Sequence, residues 1–234
     1  MNILNGPLNK FGFIANLFER FFRLLQYLPP QCFLKSLYDF HNETDKERVL
    51  PATKRNTRIV DLYVFFFLIL EISIVCFIIS DNLNRQSIRP IKYFILIILS
   101  LRLINIMEFN VNRTIFDAVR INNTKIKNQY TASIARNITM IFINYFELIL
   151  IFGIFYCISN FGSLNNADRW SDYFYFSAIT QLTIGYGDIT PVGYFKFVSV
   201  IQGMCAFYFG AIIIGRFIAI MPRIVEVEDN LDLK

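Results

Sequence analysis

The stretch "SAITQLTIGYGDITPVG", Ser177 to Gly193, combines residue types that can present a row of backbone oxygens. Gly185 and Gly187 are separated by one residue, and glycine adopts positive φ angles that let successive peptide planes point the same way. The carbonyls of residues 183–186, with the Thr183 hydroxyl, would then form one row. One row cannot replace the hydration shell of an ion, but four rows around an axis can, by stacking rings of oxygens.

The residues on either side of this loop are strongly apolar. The chain is 55% hydrophobic and 18% charged, whereas a soluble domain has about a quarter charged residues. Spanning about 30 Å of hydrocarbon takes roughly 20 helical residues. Four apolar runs are about long enough to span it as helices: Ile59–Ser80, Ile91–Met107, Ile138–Ser159 and about Tyr194–Met221. Non-helical backbone between such spans is tolerated only where protein buries it or where it lines a water-filled path.

A fifth apolar segment, Ser171–Leu182, immediately precedes the loop and is too short to cross a membrane. We predict a re-entrant or interfacial helix with Ser171 as its N-cap and Asp172 at the positive end of the helix dipole. The fold class predicted is therefore an all-α membrane protein. It has four transmembrane helices per subunit, a re-entrant pore helix and a loop that closes a pore only when several subunits assemble.

The distribution of basic residues predicts the orientation in the membrane. Nine Lys and Arg lie in the first 58 residues and five in residues 108–137, but only one lies in residues 160–193. Because basic loops stay on the cytoplasmic side, both termini and the middle linker are expected in the cytoplasm and the re-entrant loop outside. This orientation follows from the basic residues alone and is independent of the loop motif.

The chain divides into five segments by these patterns. They are a cytoplasmic N-terminal region (1–58), two additional transmembrane helices (59–108), a cytoplasmic linker (109–137), a pore module (138–221) and a short acidic tail (222–234). Residues 11–25 have one apolar helical face, which predicts an amphipathic helix lying either on membrane lipids or against a partner subunit.

Several other classes of function are disfavoured. The spacing of the four cysteines indicates neither a disulfide framework nor a metal site; they are Cys32, Cys76, Cys157 and Cys205. The single histidine is His41. No hydrolytic or redox constellation of residues is present, so we expect no enzyme activity and no cofactor. The net charge of +5 is not arranged as a basic stripe with interleaved aromatic residues, so no nucleic-acid partner is expected.

The segment "TQLTIGYGDITP" resembles the signature of potassium channels, whose filter reads T-V/I-G-Y-G-D, and "INYFELILIFGIFY" resembles their outer pore helix. The likeness covers about Ile138–Met221 and is closest to prokaryotic channels with two extra spans before the pore. It implies a homotetramer with a potassium-selective filter that runs from Thr183 to Gly187 and ends at Asp188. Potassium ions would then be bound by Thr183, Ile184, Gly185 and Tyr186.

The pore helix departs from the family at the residues that support the filter. Some members have a glutamate where this chain has Ile179, and many have a pair of tryptophans where it has Tyr175 and Phe176. Our hypothesis is that the Tyr175 hydroxyl donates to Asp188 and supports the filter. Simple aromatic packing of Tyr175 is the alternative.

Gly203 and Gly210 in the fourth span are candidate gating hinges, because glycine weakens a helix by about 1 kcal/mol relative to alanine. Close helix crossings explain small residues equally well. Voltage sensing needs several regularly spaced basic residues in a span, and in the second span no basic residue lies three positions from Arg102 on either side. The sequence therefore indicates no voltage sensor.

The charged residues of the spans that we single out for pairing are Glu71, Arg102 and Glu147. Intramembrane charges usually pair, and Arg102 and Glu147 lie at similar depths when about 1.5 Å is counted per helical residue. We predict a contact between Arg102 and Glu147 that docks the extra spans on the pore module, with Glu71 as the rival partner.

Together these patterns predict a homotetrameric potassium channel in the plasma (cell inner) membrane of a prokaryote. A non-conducting or regulatory subunit that assembles with other pore chains is the alternative. A carrier-type potassium uptake protein is disfavoured, because such proteins normally have four loops per chain. The gating stimulus is not predicted, and a regulatory partner subunit remains open.

Overall fold

The computed structural model describes residues 17, 20, 21, 46–80, 89–111 and 134–220. The elements within the last three ranges are five helices and two short strands. In chain order they are α1 (Lys46–Ile79), α2 (Arg89–Val111), α3 (Ile134–Ile158), β1 (Gly162–Asn165), α4 (Trp170–Gln181), β2 (Thr190–Gly193) and α5 (Phe195–Ile220).

Four of these helices are long and apolar enough to cross a membrane. The apolar segments are Val60–Ile79, Pro90–Val111, Ile138–Ile158 and Phe195–Gly215. They coincide with the four predicted runs, so the chain is a helical membrane protein, as predicted. Helix α1 begins well before its apolar segment, at Lys46, because polar residues continue a helix without adding to the hydropathy signal.

Three predicted features lie wholly or mostly outside the described residues. The amphipathic helix over residues 11–25 is described only at positions 17, 20 and 21, which are helical. Most of the linker, residues 112–133, and the acidic tail also lie outside the described residues. These features stay predictions.

The start of the short helix α4 corrects the predicted N-cap. The helix begins at Trp170 with Arg169 as its cap, and Ser171 lies inside the first turn. Asp172 Oδ2 accepts hydrogen bonds from the backbone N–H groups of Arg169 at 2.8 Å and Asp168 at 2.9 Å. A carboxylate three residues into a helix satisfies the unpaired amides that precede it, so the helix begins upstream of Ser171. The hydrogen bond from the Arg169 amide is the main cause that holds the pKa of Asp172 below its usual value.

The two strands form an antiparallel pair that the sequence did not predict. Gly162 lies opposite Gly193, and Asn165 lies opposite Thr190. The pair joins the segment after α3 to the segment that leads from the loop into α5. Each strand has four residues, which is too short for an alternating pattern to be recognised.

Helix α3 is the centre of the fold, since it packs against α1, α2, α4 and α5. Its Leu148 and Ile154 side chains are fully buried. At Gly153 an added Cβ atom would lie 2.5 Å from Phe174 Cδ1 of α4. The absence of a side chain at Gly153 therefore lets the short helix approach α3 closely.

We expect Gly153→Ala to lower stability by about 1–3 kcal/mol, because the new methyl group overpacks the contact with Phe174. The matched control is Gly203→Ala in α5, where no atom lies within 4 Å of the added Cβ. Replacing a helical glycine without a clash stabilises by up to about 1 kcal/mol. Thermal unfolding in detergent micelles measures both changes, and equal shifts for the two variants would contradict the packing argument.

Candidate functional site

The backbone of the loop after α4 alternates between two conformations. Thr183, Gly185 and Gly187 have φ angles of 57°, 58° and 81°, and the residues between them do not have positive φ. The positive φ predicted for the two glycines is thus present. Thr183 was not predicted to share it, because a β-branched residue rarely adopts the left-handed region. Such outliers are typical of functional sites.

The amides at the start of the loop point back to the end of α4. The N–H groups of Ile184 and Gly185 both approach the Ile179 carbonyl, at 2.9 and 3.4 Å, and Thr183 N–H donates to the Thr180 carbonyl at 3.1 Å. Because these amides donate to carbonyls of α4, the hydrogen-bond donors of residues 183–185 are directed toward that helix. The last carbonyls of α4 also carry the negative end of its dipole, which favours a cation nearby.

Residues 182–188 are exposed in the single chain, whereas Gln181 before them and Ile189 after them are buried. The Tyr186 side chain is 70% exposed. The loop is therefore held at both ends by the protein and open along its length.

The end of the loop nearest to the strands is held by two hydrogen bonds to Asp188. The Tyr175 hydroxyl donates to Asp188 Oδ2 at 2.8 Å, so the hypothesised contact is present. This hydrogen bond is the main cause that raises the pKa of Tyr175. Asn166 Nδ2 donates to the Asp188 carbonyl at 2.9 Å. Asn166 has a φ of 62°, and asparagine tolerates that conformation better than most residues.

A buried polar network behind the loop was missed by the sequence analysis. Gln202 Nε2 of α5 donates to the Ser177 carbonyl and hydroxyl at 2.9 and 3.0 Å, and the Tyr156 hydroxyl of α3 donates to Gln202 Oε1 at 3.0 Å. The Ser177 hydroxyl donates in turn to the Ile149 carbonyl at 2.8 Å. All three side chains are at most 1% exposed. Gln202 is a polar residue within an apolar span, and such residues form hydrogen bonds between helices. Its place in the sequence was the signal from which a contact between helices could have been predicted.

The C-terminal end of α4 is held to α3 by the Tyr145 hydroxyl, which donates to the Gln181 carbonyl at 2.7 Å. The Gln181 side chain is fully buried, and its amide has no hydrogen-bond partner among the described residues. Helix α4 is thus held at its start by Asp172, along one face by Ser177 and at its end by Tyr145.

Arg102 and Glu147 form the predicted contact, which joins α2 to α3. Arg102 Nε lies 2.5 Å from Glu147 Oε1, and Nη2 lies 2.8 Å from Oε2, so the guanidinium is bidentate. The side chains are 2% and 0% exposed. The Arg102 guanidinium also lies over the rings of Tyr63 and Phe67 of α1, 5.1 and 4.9 Å from their centroids. One side chain of α2 therefore contacts both α1 and α3.

Glu71 does not pair with Arg102. It is fully buried, and neither carboxyl oxygen has a hydrogen-bond partner among the described residues. An ion pair between α1 and α3 was not predicted: the Arg136 guanidinium of α3 pairs with Asp61 of α1. The Asp61 side chain is 41% exposed, whereas the side chains of Arg102 and Glu147 are almost completely buried.

The two candidate hinge glycines have free space around them. An added Cβ at Gly203 or Gly210 would meet no atom within 4 Å. Neither glycine therefore lies at a close crossing with another of the described helices. The hinge role stays a prediction.

Within the part of the chain that the structure describes, no three His, Cys, Asp or Glu residues are grouped so as to hold a metal ion. Cys76, Cys157 and Cys205 are free thiols there.

Comparison with known proteins supports a pore module in this half of the chain. Residues 144–223 match the family described as "Ion channel". Protein LctB of Geobacillus stearothermophilus is 33% identical over 52 residues, which are 22% of this chain and 39% of that protein. Protein LctB of Bacillus caldotenax is 30% identical over 57 residues, 24% of this chain and 42% of that protein. The chain thus matches less than half the length of these relatives. No solved structure matches it. The matched region contains α4, the loop, α5 and most of α3.

Reversing either charge of the Arg102–Glu147 pair should prevent correct folding, because it leaves like charges buried, whereas breaking such a pair already costs about 3–5 kcal/mol. The double variant Arg102→Glu with Glu147→Arg should recover much of the thermal stability in detergent micelles. The control is Asp61→Asn, which breaks a half-exposed pair worth about 1 kcal/mol or less. A double variant as unstable as the single ones would contradict direct pairing.

Proposed function

We propose that four copies of this chain form a potassium-selective channel that conducts ions passively. The observation that carries the proposal is the exposed loop of residues 183–187, whose φ angles alternate in sign and whose first three amides, at 183–185, donate to carbonyls of α4. A backbone of this kind offers closely spaced carbonyl oxygens without any charged side chain. Four such rows would replace the water around a dehydrated cation.

Potassium ions would be bound by Thr183, Ile184, Gly185 and Tyr186, with Gly187 completing the filter. Selectivity would arise from the number and field strength of the carbonyls, from the size of the cavity, or from both. Asp188 and Tyr175 support the outer end of the filter in this proposal. The match of residues 144–223 to ion channels supports the location of the pore.

An exposed apolar stripe on α5 supports assembly with further copies. Its members follow one another at alternating spacings of three and four residues: Phe197, Val200, Met204, Phe207, Ala211, Ile214 and Ile218 are all exposed in the single chain. This heptad spacing is the one by which helices pack along a common seam. A second α5 offers the same stripe, and a closed ring of copies supplies the missing rows of carbonyls.

The proposed location is the plasma membrane of a cell, with both termini in the cytoplasm and the filter at the outer side. The bias of basic residues toward the N-terminal region and the linker supports this orientation.

Purified protein in liposomes tests the function directly. Reversal potentials measured against potassium and sodium gradients should follow the potassium gradient. Thr183→Cys is the variant that should lower conductance, because it removes one ring of hydroxyl oxygens, and Thr190→Cys is its control outside the filter. A pure protein that carries no current would favour a regulatory subunit, and an equal response to both ions would overturn selectivity.

Tyr175→Phe should speed the loss of current during sustained opening, because it removes the hydrogen bond that holds the Asp188 carboxylate. Selectivity should change little, since the residues that bind ions are intact. The control is Tyr173→Phe, on the same helix, whose hydroxyl makes no hydrogen bond to Asp188 among the described residues. Time courses of current in bilayers compare the two, and a rate unchanged in Tyr175→Phe would leave only aromatic packing for this side chain.

A further inference from the structure

We infer that Glu71 binds a proton that it shares with Glu147, so that the interface between α1 and α3 contains a buried proton-binding site. This inference goes beyond the proposed channel function and does not depend on it. The site consists of Glu71 on α1, Arg102 on α2 and Glu147 on α3.

The burial of Glu71 is the first observation. Its side chain is 0% exposed in the single chain, and neither of its carboxyl oxygens has a hydrogen-bond partner among the described residues. It belongs to the apolar segment Val60–Ile79. A carboxylate left in this environment lacks both water and a donor, a condition that costs far more than burying a neutral acid.

The charges around Glu71 are the second observation. The groups that act on it electrostatically are Glu147 of α3 and Arg102 of α2. Arg102 is already bidentate on Glu147 and uses both Nε and Nη2 for it. Two carboxylates and one guanidinium would leave one uncompensated negative charge among apolar helices.

Protonation of one carboxyl removes this charge. Two carboxylates that share a site do not both ionise readily, and Glu147 is the one that Arg102 holds as an anion. The proton therefore belongs on Glu71, where the neutral acid has an O–H group to turn toward Glu147. The step is simple binding: a Glu71 carboxylate plus one proton gives the carboxylic acid, and the group as a whole becomes neutral.

The position of the site gives the proton a structural effect. Helix α1 is held to α3 by the Asp61–Arg136 ion pair at the start of its apolar segment, and Glu71 lies nearly three turns further along the helix. Removal of the proton would place two like charges across the interface and push this part of α1 away from α3. Alkaline conditions should thus loosen α1 while the Asp61 contact remains.

Infrared spectroscopy of the full chain in lipid bilayers tests the proton itself. At neutral pH the wild-type protein should show the C=O stretching band of a protonated carboxylic acid, and the band should shift in heavy water. It should disappear in Glu71→Gln, a neutral side chain of the same shape, and persist in Asp61→Asn. A wild-type spectrum without the band, or a band unchanged in Glu71→Gln, would overturn the inference.

The effect on packing is tested by spin labels at Ile72 of α1, next to Glu71, and at Phe146 of α3, which are both exposed. The distance between the labels should increase as the pH of the wild-type sample is raised and should stay constant in Glu71→Gln. A wild-type distance independent of pH would overturn the structural part. Neither measurement uses ion flow, so a failure of the channel proposal leaves these results unchanged, and the reverse also holds.

Discussion

Inside a membrane every backbone N–H and C=O group needs a partner within the protein, and the loop after α4 is where this chain meets that constraint in an unusual way. The amides of Ile184 and Gly185 are satisfied by the carbonyl of Ile179. The loop itself remains exposed. The rest of the pore-side structure serves to hold this arrangement. The short helix supplies acceptors for the amides, and α3 and α5 hold the short helix.

The polar contacts of the spans follow from the same scarcity of water. Gln202, Ser177 and Tyr156 satisfy one another because no solvent is available to do so. Arg102 takes up both oxygens of Glu147 and also lies over the rings of Tyr63 and Phe67. These contacts join helices in fixed registers, a specificity that apolar packing against lipid does not provide. The additional helices are thereby docked on α3 at defined heights.

The sequence predicted the features that depend on composition over long stretches. The four apolar helices, the short helix and the positive φ of the two glycines each have a strong local cause. The Arg102–Glu147 contact was also predictable, because few charges occur in the spans and they must meet. The N-cap was wrong by two residues, since the Asp172 carboxylate could satisfy amides upstream of Ser171. The strand pair depends on contacts between distant segments, which no local pattern encodes, and the left-handed φ of Thr183 runs against the preference of a β-branched residue. Gln202 stood out as a polar residue in an apolar span, but its partners Ser177 and Tyr156 come from distant segments.

The strand pair also determines how the start of α5 is attached to the loop. Pairing of Asn165 with Thr190 closes the short helix and the loop into one ring of backbone held together at its base. Immediately after the second strand, α5 begins at Phe195, which is 1% exposed and packs against Tyr156. The first turn of α5 is therefore tied to the base of this ring, and the predicted hinges Gly203 and Gly210 lie further along the helix. If the hinge prediction holds, a bend at either glycine would move the far half of α5 without separating the two strands.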